Sequence, residues 1–206
     1  MTISVVTAAA YLPVSLAQAR VWARLESDYT TEDGLLTQLI QAMVNYAETY
    51  TARAFIQRTL KLTLPAWPSD LQISLPYAPL LGVDSVKYLD ADSIEQTLAA
   101  DQWQVDSAAE PAVIFPAHNA DAWPSTLSVR NAVRITYRAG YAAVGSPDDE
   151  GAHQTGQPAE LKVWLQARVA TLFAQREQLV MRQAFEIPRT FADGLLDPLV
   201  MGERLA

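Results

Sequence analysis

Leu36, Ile40, Met43, Ala47, Tyr50 and Ala54 recur at alternating steps of four and three, and that spacing constrains the chain more than any other feature. Such steps put all six side chains on one face of an α-helix. The stripe runs over about 24 residues, roughly 36 Å of helix. Leu35, Leu39 and Tyr46 widen it beyond the seam of a simple coiled coil. A helix with so broad an apolar face needs partners on more than one side, which predicts a helical bundle, a contact between subunits, or both. Leu36, Ile40, Met43 and Tyr50 are therefore candidate subunit-interface residues, against the alternative that they pack in the core of one subunit.

Two more helices flank this one. Ser15 with Gln18 three residues on is a capping-box pattern, in which the serine oxygen accepts an orphan amide and the glutamine reaches back. It predicts a helix over Leu16–Glu26. Pro158 stands at a position like the first of a helix, and Leu161, Leu165, Val169, Leu172 and Phe173 give a helix to about residue 178 one apolar face.

Between the second and third helices the texture changes. Thr59–Leu64, Leu71–Leu75, Val83–Tyr88, Ile94–Leu98, Trp103–Val105, Val113–Phe115 and Val133–Tyr137 are short, partly alternating, and separated by turn chemistry. They predict an antiparallel β unit set between helices. Trp67-Pro68 and Trp123-Pro124 bracket much of it, and Asp90-Ala91-Asp92-Ser93 is a hairpin turn. The predicted fold class is α+β: an α-helical bundle core with an inserted antiparallel β unit and an extended C-terminal tail. Residues 1–56 and 158–184 are assigned to the helical core, 57–144 to the β insertion, 145–157 to an exposed loop, and 185–206 to a tail.

Composition excludes several kinds of chemistry. The chain has 206 residues and no cysteine, so disulfides, thiolate metal sites and cysteine nucleophiles are out. A monomer of this size buries roughly 70% of its unfolded surface, enough for a core without staples. The first basic residue is Arg20, so no secretory signal is expected, and no run of about 18 apolar residues predicts a membrane span. The net charge of −8 argues against tight gripping of nucleic acid, which needs Lys and Arg at the phosphates. There is no phosphate-binding glycine loop, nucleophile elbow or zinc-protease motif. His153 after Asp148, Asp149 and Glu150 could be drawn as a hard-metal site, but a solvated acidic loop accounts for the same residues. His118 lies in a turn, and Asp90 with Asp92 belongs to the hairpin. No set of base, nucleophile and oxyanion donors converges, so neither catalysis nor a cofactor is expected, and no metal site is assigned.

Arg130, Arg134 and Arg138 share one parity with respect to the strand carrying Val133, Ile135 and Tyr137, which predicts one basic face. That face could line a DNA path, pair with acidic groups of a neighbour, or simply be solvated. Near the C-terminus Pro188, Gly194 and Pro198 forbid a long helix, while Phe191, Leu195, Leu196, Leu199, Val200 and Met201 are apolar. Such a terminus either packs back on its own domain or docks on a partner.

An ordered series of landmarks adds to this. It comprises Pro13-Val14-Ser15-Leu16-Ala17-Gln18-Ala19, then Leu39-Ile40 through Glu48, Thr51 and Arg53, then Gln57-Arg58-Thr59 and Trp67-Pro68. Leu75-Pro76-Tyr77-Ala78-Pro79-Leu80, Val83, Ser85-Val86 and Tyr88-Leu89-Asp90 follow. Trp123-Pro124, Tyr137-Arg138-Ala139-Gly140-Tyr141, Pro158 and Arg176-Glu177 complete it. Over nearly its whole length the chain resembles the phage head-tail connector proteins, also called adaptor or head-completion proteins, in their longer branch with a β insertion. Where those proteins often carry glycine in the Asp-x-Asp hairpin, this chain has Ser93.

The resemblance implies a non-enzymatic structural subunit of a virion neck, made in the host cytoplasm and set in a ring, dodecameric, between the portal and the tail. The implied partners are the portal protein, a tail-side neck or stopper protein, further copies of itself, and double-stranded DNA crossing the lumen without tight binding. No membrane partner is implied. Phage particles and gene transfer agents are equally compatible. The same resemblance makes the C-terminal tail, with Phe191, Leu195, Leu196, Leu199 and Met201, a candidate portal-docking segment. Two other readings stay open: another neck, tail-completion or terminator protein, and a small metal-dependent hydrolase built on the acidic loop with His153.

Overall fold

A computed structural model describes residues 1–7, 12–118, 122–144, 153–154, 156–175 and 193–201. The chain divides into two compact units, Met1–Ala9 with Gln57–Gly140, and Ala10–Ile56 with Tyr141–Ala206. Both α-helices and antiparallel sheets are present, so the α+β class holds.

The first unit is built of strands. A five-stranded sheet has β1 (Thr2–Thr7) at one edge, then β2 (Arg58–Leu64), β8 (Val133–Ala139), β4 (Leu80–Leu89) and β5 (Glu95–Thr97). All its pairings are antiparallel. A three-stranded sheet sets β7 (Ala112–Pro116) between β3 (Ile73–Leu75) and β6 (Trp103–Asp106). Alternation does what the sequence pattern requires: Val133, Ile135, Tyr137 and Ala139 are buried, while Arg134 and Thr136 are half-buried and Arg138 is exposed. Leu60 and Leu62 of β2 and Val86 of β4 are buried as well. Tyr137 keeps a polar group in this interior by donating its hydroxyl to the Pro76 carbonyl at 2.9 Å. Burial, with Tyr77 nearby, pushes its pKa up, so it stays neutral.

β1 has no counterpart in the sequence reading, although Ile3, Val5 and Val6 are good strand formers. The two tryptophans of the Trp-Pro pairs stack on each other, rings 4.6 Å apart and 8° from parallel. Tyr88 tilts against Trp67, and the Trp123 indole N–H donates to Leu71 O at 2.9 Å.

The second unit holds α1 (Leu16–Trp22), α2 (Asp33–Thr51) and α3 (Ala159–Ala174), with a two-residue pairing of β9 (Ala143–Val144) and β10 (His153–Gln154). Both hydrogen bonds of the predicted capping box are present at 3.2 Å. α1 ends at Trp22, short of Glu26, because Arg24 turns left-handed at φ 58°. The Leu25 amide then reaches back to Arg20 O and the Arg24 amide to Val21 O. This is the bond pattern of a Schellman cap, formed here without the usual glycine. Arg20 is buried; its guanidinium grips both carboxylate oxygens of Asp33 and the Ser27 carbonyl, tying α1 to the start of α2.

α2 also stops before Ala54, with Ala52 left-handed at φ 59°. The reversal that follows is held by Glu48, a buried carboxylate that accepts the amides of Phe55 and Ile56 at 2.8 and 3.2 Å. Pro158 is the N-cap of α3 rather than its first residue, a shift of one position. α3 ends at Ala174, so the predicted extension toward residue 178 falls outside the described residues. One apolar core joins the three helices: Val14, Ala19, Leu36, Ile40, Val44, Ala47, Phe55, Ile56, Leu161, Trp164, Leu165, Val169, Phe173 and Leu196.

Candidate functional site

The buried line of α2 runs through Leu36, Ile40, Val44, Ala47, Glu48 and Thr51. Relative to the predicted stripe it is turned slightly, as a 3.6-residue helix drifts against a four-three repeat. This corrects the interface expectation in part. Leu36 and Ile40 are wholly buried in the core of their own unit and present no surface to a neighbour. Met43 and Tyr50 lie at the core's margin, half-covered.

Beyond that margin α2 and α3 leave an open groove of about 290 Å³ lined by Met43, Tyr46, Trp164, Arg168, Thr171 and Leu172. Its floor is aromatic. Tyr46 stacks on Trp164 at 5.8 Å and 12°, and on Tyr50 at 6.3 Å and 4°. Among the described residues Tyr46 remains 45% exposed and Leu172 38%. Trp164, Arg168 and Thr171 had been given no role from sequence. Their signal is the i, i+4, i+8 line of Trp164, Arg168 and Leu172, which runs beside the core line of α3.

The arginines separate. Arg130 sits in the turn before β8, next to Asn131 at φ 63°, and is not on the strand. Arg134 and Arg138 do share the outer face of β8. Each is ion-paired inside its own unit, Arg134 to Glu95 at 2.8 Å and Arg138 to Asp84 at 2.9 Å. Lys87 joins Glu95 from the other side at 2.9 Å, and the hydrogen bond and charge of that lysine hold the Glu95 carboxyl below the usual carboxylate range, with Arg134 adding to it. Gly82 leaves room for the Arg138 guanidinium, since a Cβ there would stand 3.1 Å from its terminal nitrogen. On this face three cations, Lys87, Arg134 and Arg138, share two carboxylates, Glu95 and Asp84.

Of the tail, residues 193–201 are described, and they fold back on α2. Leu196 is wholly buried and Met201 7% exposed. The Met201 amide donates to Thr51 O at 3.1 Å, Arg53 Nε to Leu199 O at 2.6 Å, and the Tyr50 hydroxyl to Asp197 Oδ1 at 2.7 Å. Leu195 and Leu199 pack at the edge of the same core. Phe191 lies outside the described residues, as do Asp148, Asp149 and Glu150. His153 is in β10. Among the described residues no group of three or more His, Cys, Asp or Glu could hold a metal, and no helix is long and apolar enough to cross a membrane.

Asp90 has a structural role. Its Oδ1 accepts the amides of Asp92 and Ile94 at 3.0 and 2.9 Å, and its Oδ2 the Gln96 side-chain amide at 2.8 Å. The Gln96 bond and then the Ile94 amide hold its carboxyl below the usual range. Ser93 takes φ 65° in this turn, the conformation that glycine adopts without strain.

Three solved structures similar to this chain come from gene transfer agent particles. A chain from the neck of an empty gene transfer agent particle, computed with C6 symmetry, is 25% identical with a TM-score of 0.75; 98% of this chain and 96% of that one are covered. A chain from the virion of a native gene transfer agent particle is 24% identical at TM-score 0.74, with the same coverage. A chain from the neck of a native particle computed with C12 symmetry is 23% identical at TM-score 0.66, again with the same coverage. No family model matches the sequence, and no curated protein does. The likeness to neck proteins of phage-like particles, read from the ordered landmarks, therefore holds for the fold from end to end.

Proposed function

We propose, from a fold shared over nearly its whole length with a chain of the gene transfer agent neck, that this protein is an adaptor subunit of a virion neck. Copies form a ring between the portal and the tail of a phage or gene transfer agent, and DNA passes through the lumen. The observation that carries this is the coverage of 98% of this chain and 96% of the neck chain at TM-score 0.75. The role is structural rather than catalytic. The C6 and C12 symmetries used for two of those necks fit a ring of twelve copies.

The helical unit with its shared core is the body of such an adaptor, and the β unit, apart from its N-terminal strand β1, is its insertion. A net charge of −8 suits a conduit in which DNA slides without being held, since few phosphate contacts form. The C-terminal tail docks on the portal. Leu196 and Met201 already anchor it in its own subunit, so docking uses Phe191 and the residues after Met201. A tail-side neck or stopper protein binds the opposite end of the ring.

The test is native mass spectrometry of the purified chain, alone and after mixing with the portal ring of its own particle. A portal that gains a whole ring of subunits is the expected result. A portal that gains nothing from well-folded protein sinks the adaptor reading and moves the chain to a tail-side completion role.

A further inference from the structure

We infer that the outer face of the five-stranded sheet is the surface that the phosphate backbone of DNA touches as it passes. The inference rests on the adaptor reading above and names the face that meets the duplex. Strand register sets three rows of residues straight across that face. One row runs through Thr2, Thr63, Arg134, Lys87 and Thr97. The next runs through Ser4, Lys61, Thr136 and Ser85, and the third through Thr7, Thr59, Arg138 and Gly82. Alternation points these side chains away from the interior that holds Leu60, Leu62, Val86, Ile135 and Tyr137. None of the row residues is buried.

Every side chain in the three rows carries a hydroxyl or a positive charge, with Gly82 the one position lacking a side chain. Asp84 and Glu95, the acids that pair with this face, stand outside the rows. Serine, threonine, lysine and arginine are the side chains that contact DNA phosphates without reading sequence. Strands lie about 4.8 Å apart, and same-face residues recur about every 7 Å along each strand. A phosphate backbone therefore meets a donor at any offset, as a moving duplex requires. Lys61 has no ion pair among the described residues. With it the face sets four cations against two carboxylates, in a chain whose net charge is −8. The rest of the surface repels DNA, which steers the duplex to this face. Composition argues against a protein occupant, because the centre of a protein interface is apolar and poor in charge. The ion pairs of Arg134, Arg138 and Lys87 weaken the hold, so that the duplex slides.

The test is a nuclear magnetic resonance titration of the whole isotope-labelled chain with a DNA duplex of arbitrary sequence. Amides of the three rows should shift. For two phosphates neutralised, affinity should fall roughly 40-fold between about 20 and about 150 mM salt. Lys61→Glu should weaken binding about tenfold or more at the lower salt, and Thr136→Glu on the adjacent strand should do the same if the first variant misfolds. Lys162→Glu on α3 changes the net charge equally and should leave the affinity within about twofold. No shift at low salt, shifts confined to other elements, or equal losses from Lys61→Glu and Lys162→Glu overturn the inference. Row amides that move with protein concentration and ignore DNA assign the face to a second copy, and overturn it too. If the portal gains its ring while DNA leaves the rows unmoved, the contact is wrong and the adaptor reading stands. If the rows respond to DNA and the portal gains nothing, the DNA surface is supported and the adaptor reading sinks.

Discussion

Leu36→Ala separates the two roles that its place in the stripe allows. The side chain is wholly buried in the apolar core of the helical unit. Truncating leucine at such a site removes transfer free energy and leaves a cavity, together about 3 to 5 kcal/mol. In a chain of 206 residues each kcal/mol lowers a melting midpoint by about 2 to 4 °C. The transition of the helical unit should therefore fall by roughly 6 to 20 °C. Ile40→Val should give a smaller drop in the same direction, about 1 kcal/mol. The assay is differential scanning calorimetry at two protein concentrations, with hydrogen exchange of the α2 amides to assign the transition. A core role lowers the midpoint equally at both concentrations. A midpoint within about 2 °C of wild type, together with lost assembly, would refute the core placement and restore Leu36 to the subunit interface.

Three further outcomes are expected. Glu48→Ala leaves the buried amides of Phe55 and Ile56 without their acceptor and should cost about 2 to 4 kcal/mol by urea denaturation; a midpoint equal to wild type would show that the reversal is held by other means. Ser93→Gly removes a side chain from a φ 65° position and should stabilise by about 0.5 to 1 kcal/mol, read as a raised denaturation midpoint of the β unit. The Asp90 carboxyl sits lower in the folded state than in the unfolded one, chiefly through Gln96 and then Ile94. Its contribution is complete above about pH 4 and fades as pH falls through the lowered folded value. The protection factor of the Ile94 amide, taken relative to its intrinsic exchange rate, should fall over that acid range in wild type and stay flat in Asp90→Asn.

What could be read from the sequence was whatever depends on residues close in the chain. The Ser15–Gln18 capping box closes within one helical turn. The Asp90 turn closes within a few residues, and alternation in β8 follows from the strand's own period of two. The ordered landmarks likewise pointed to the neck-protein fold before any coordinates. The left-handed caps at Arg24 and Ala52 were not legible, because neither position carries the glycine that marks such a turn.

Tertiary structure decided everything that depends on which distant segments meet. β1 becomes a strand only by pairing Thr2 with Thr63 and Ile3 with Leu62, and a short apolar run has no way to announce so remote a partner. Trp67 and Trp123 look like separate turn markers until the sheet brings their rings together. The broad stripe of α2 said that several sides needed covering but not which side would stay open. Packing within the helical unit buried Leu36 and Ile40 and left Met43 and Tyr46 at the groove. Periodicity fixes the angle of a residue around its own helix axis, whereas exposure is set by the neighbours that arrive there.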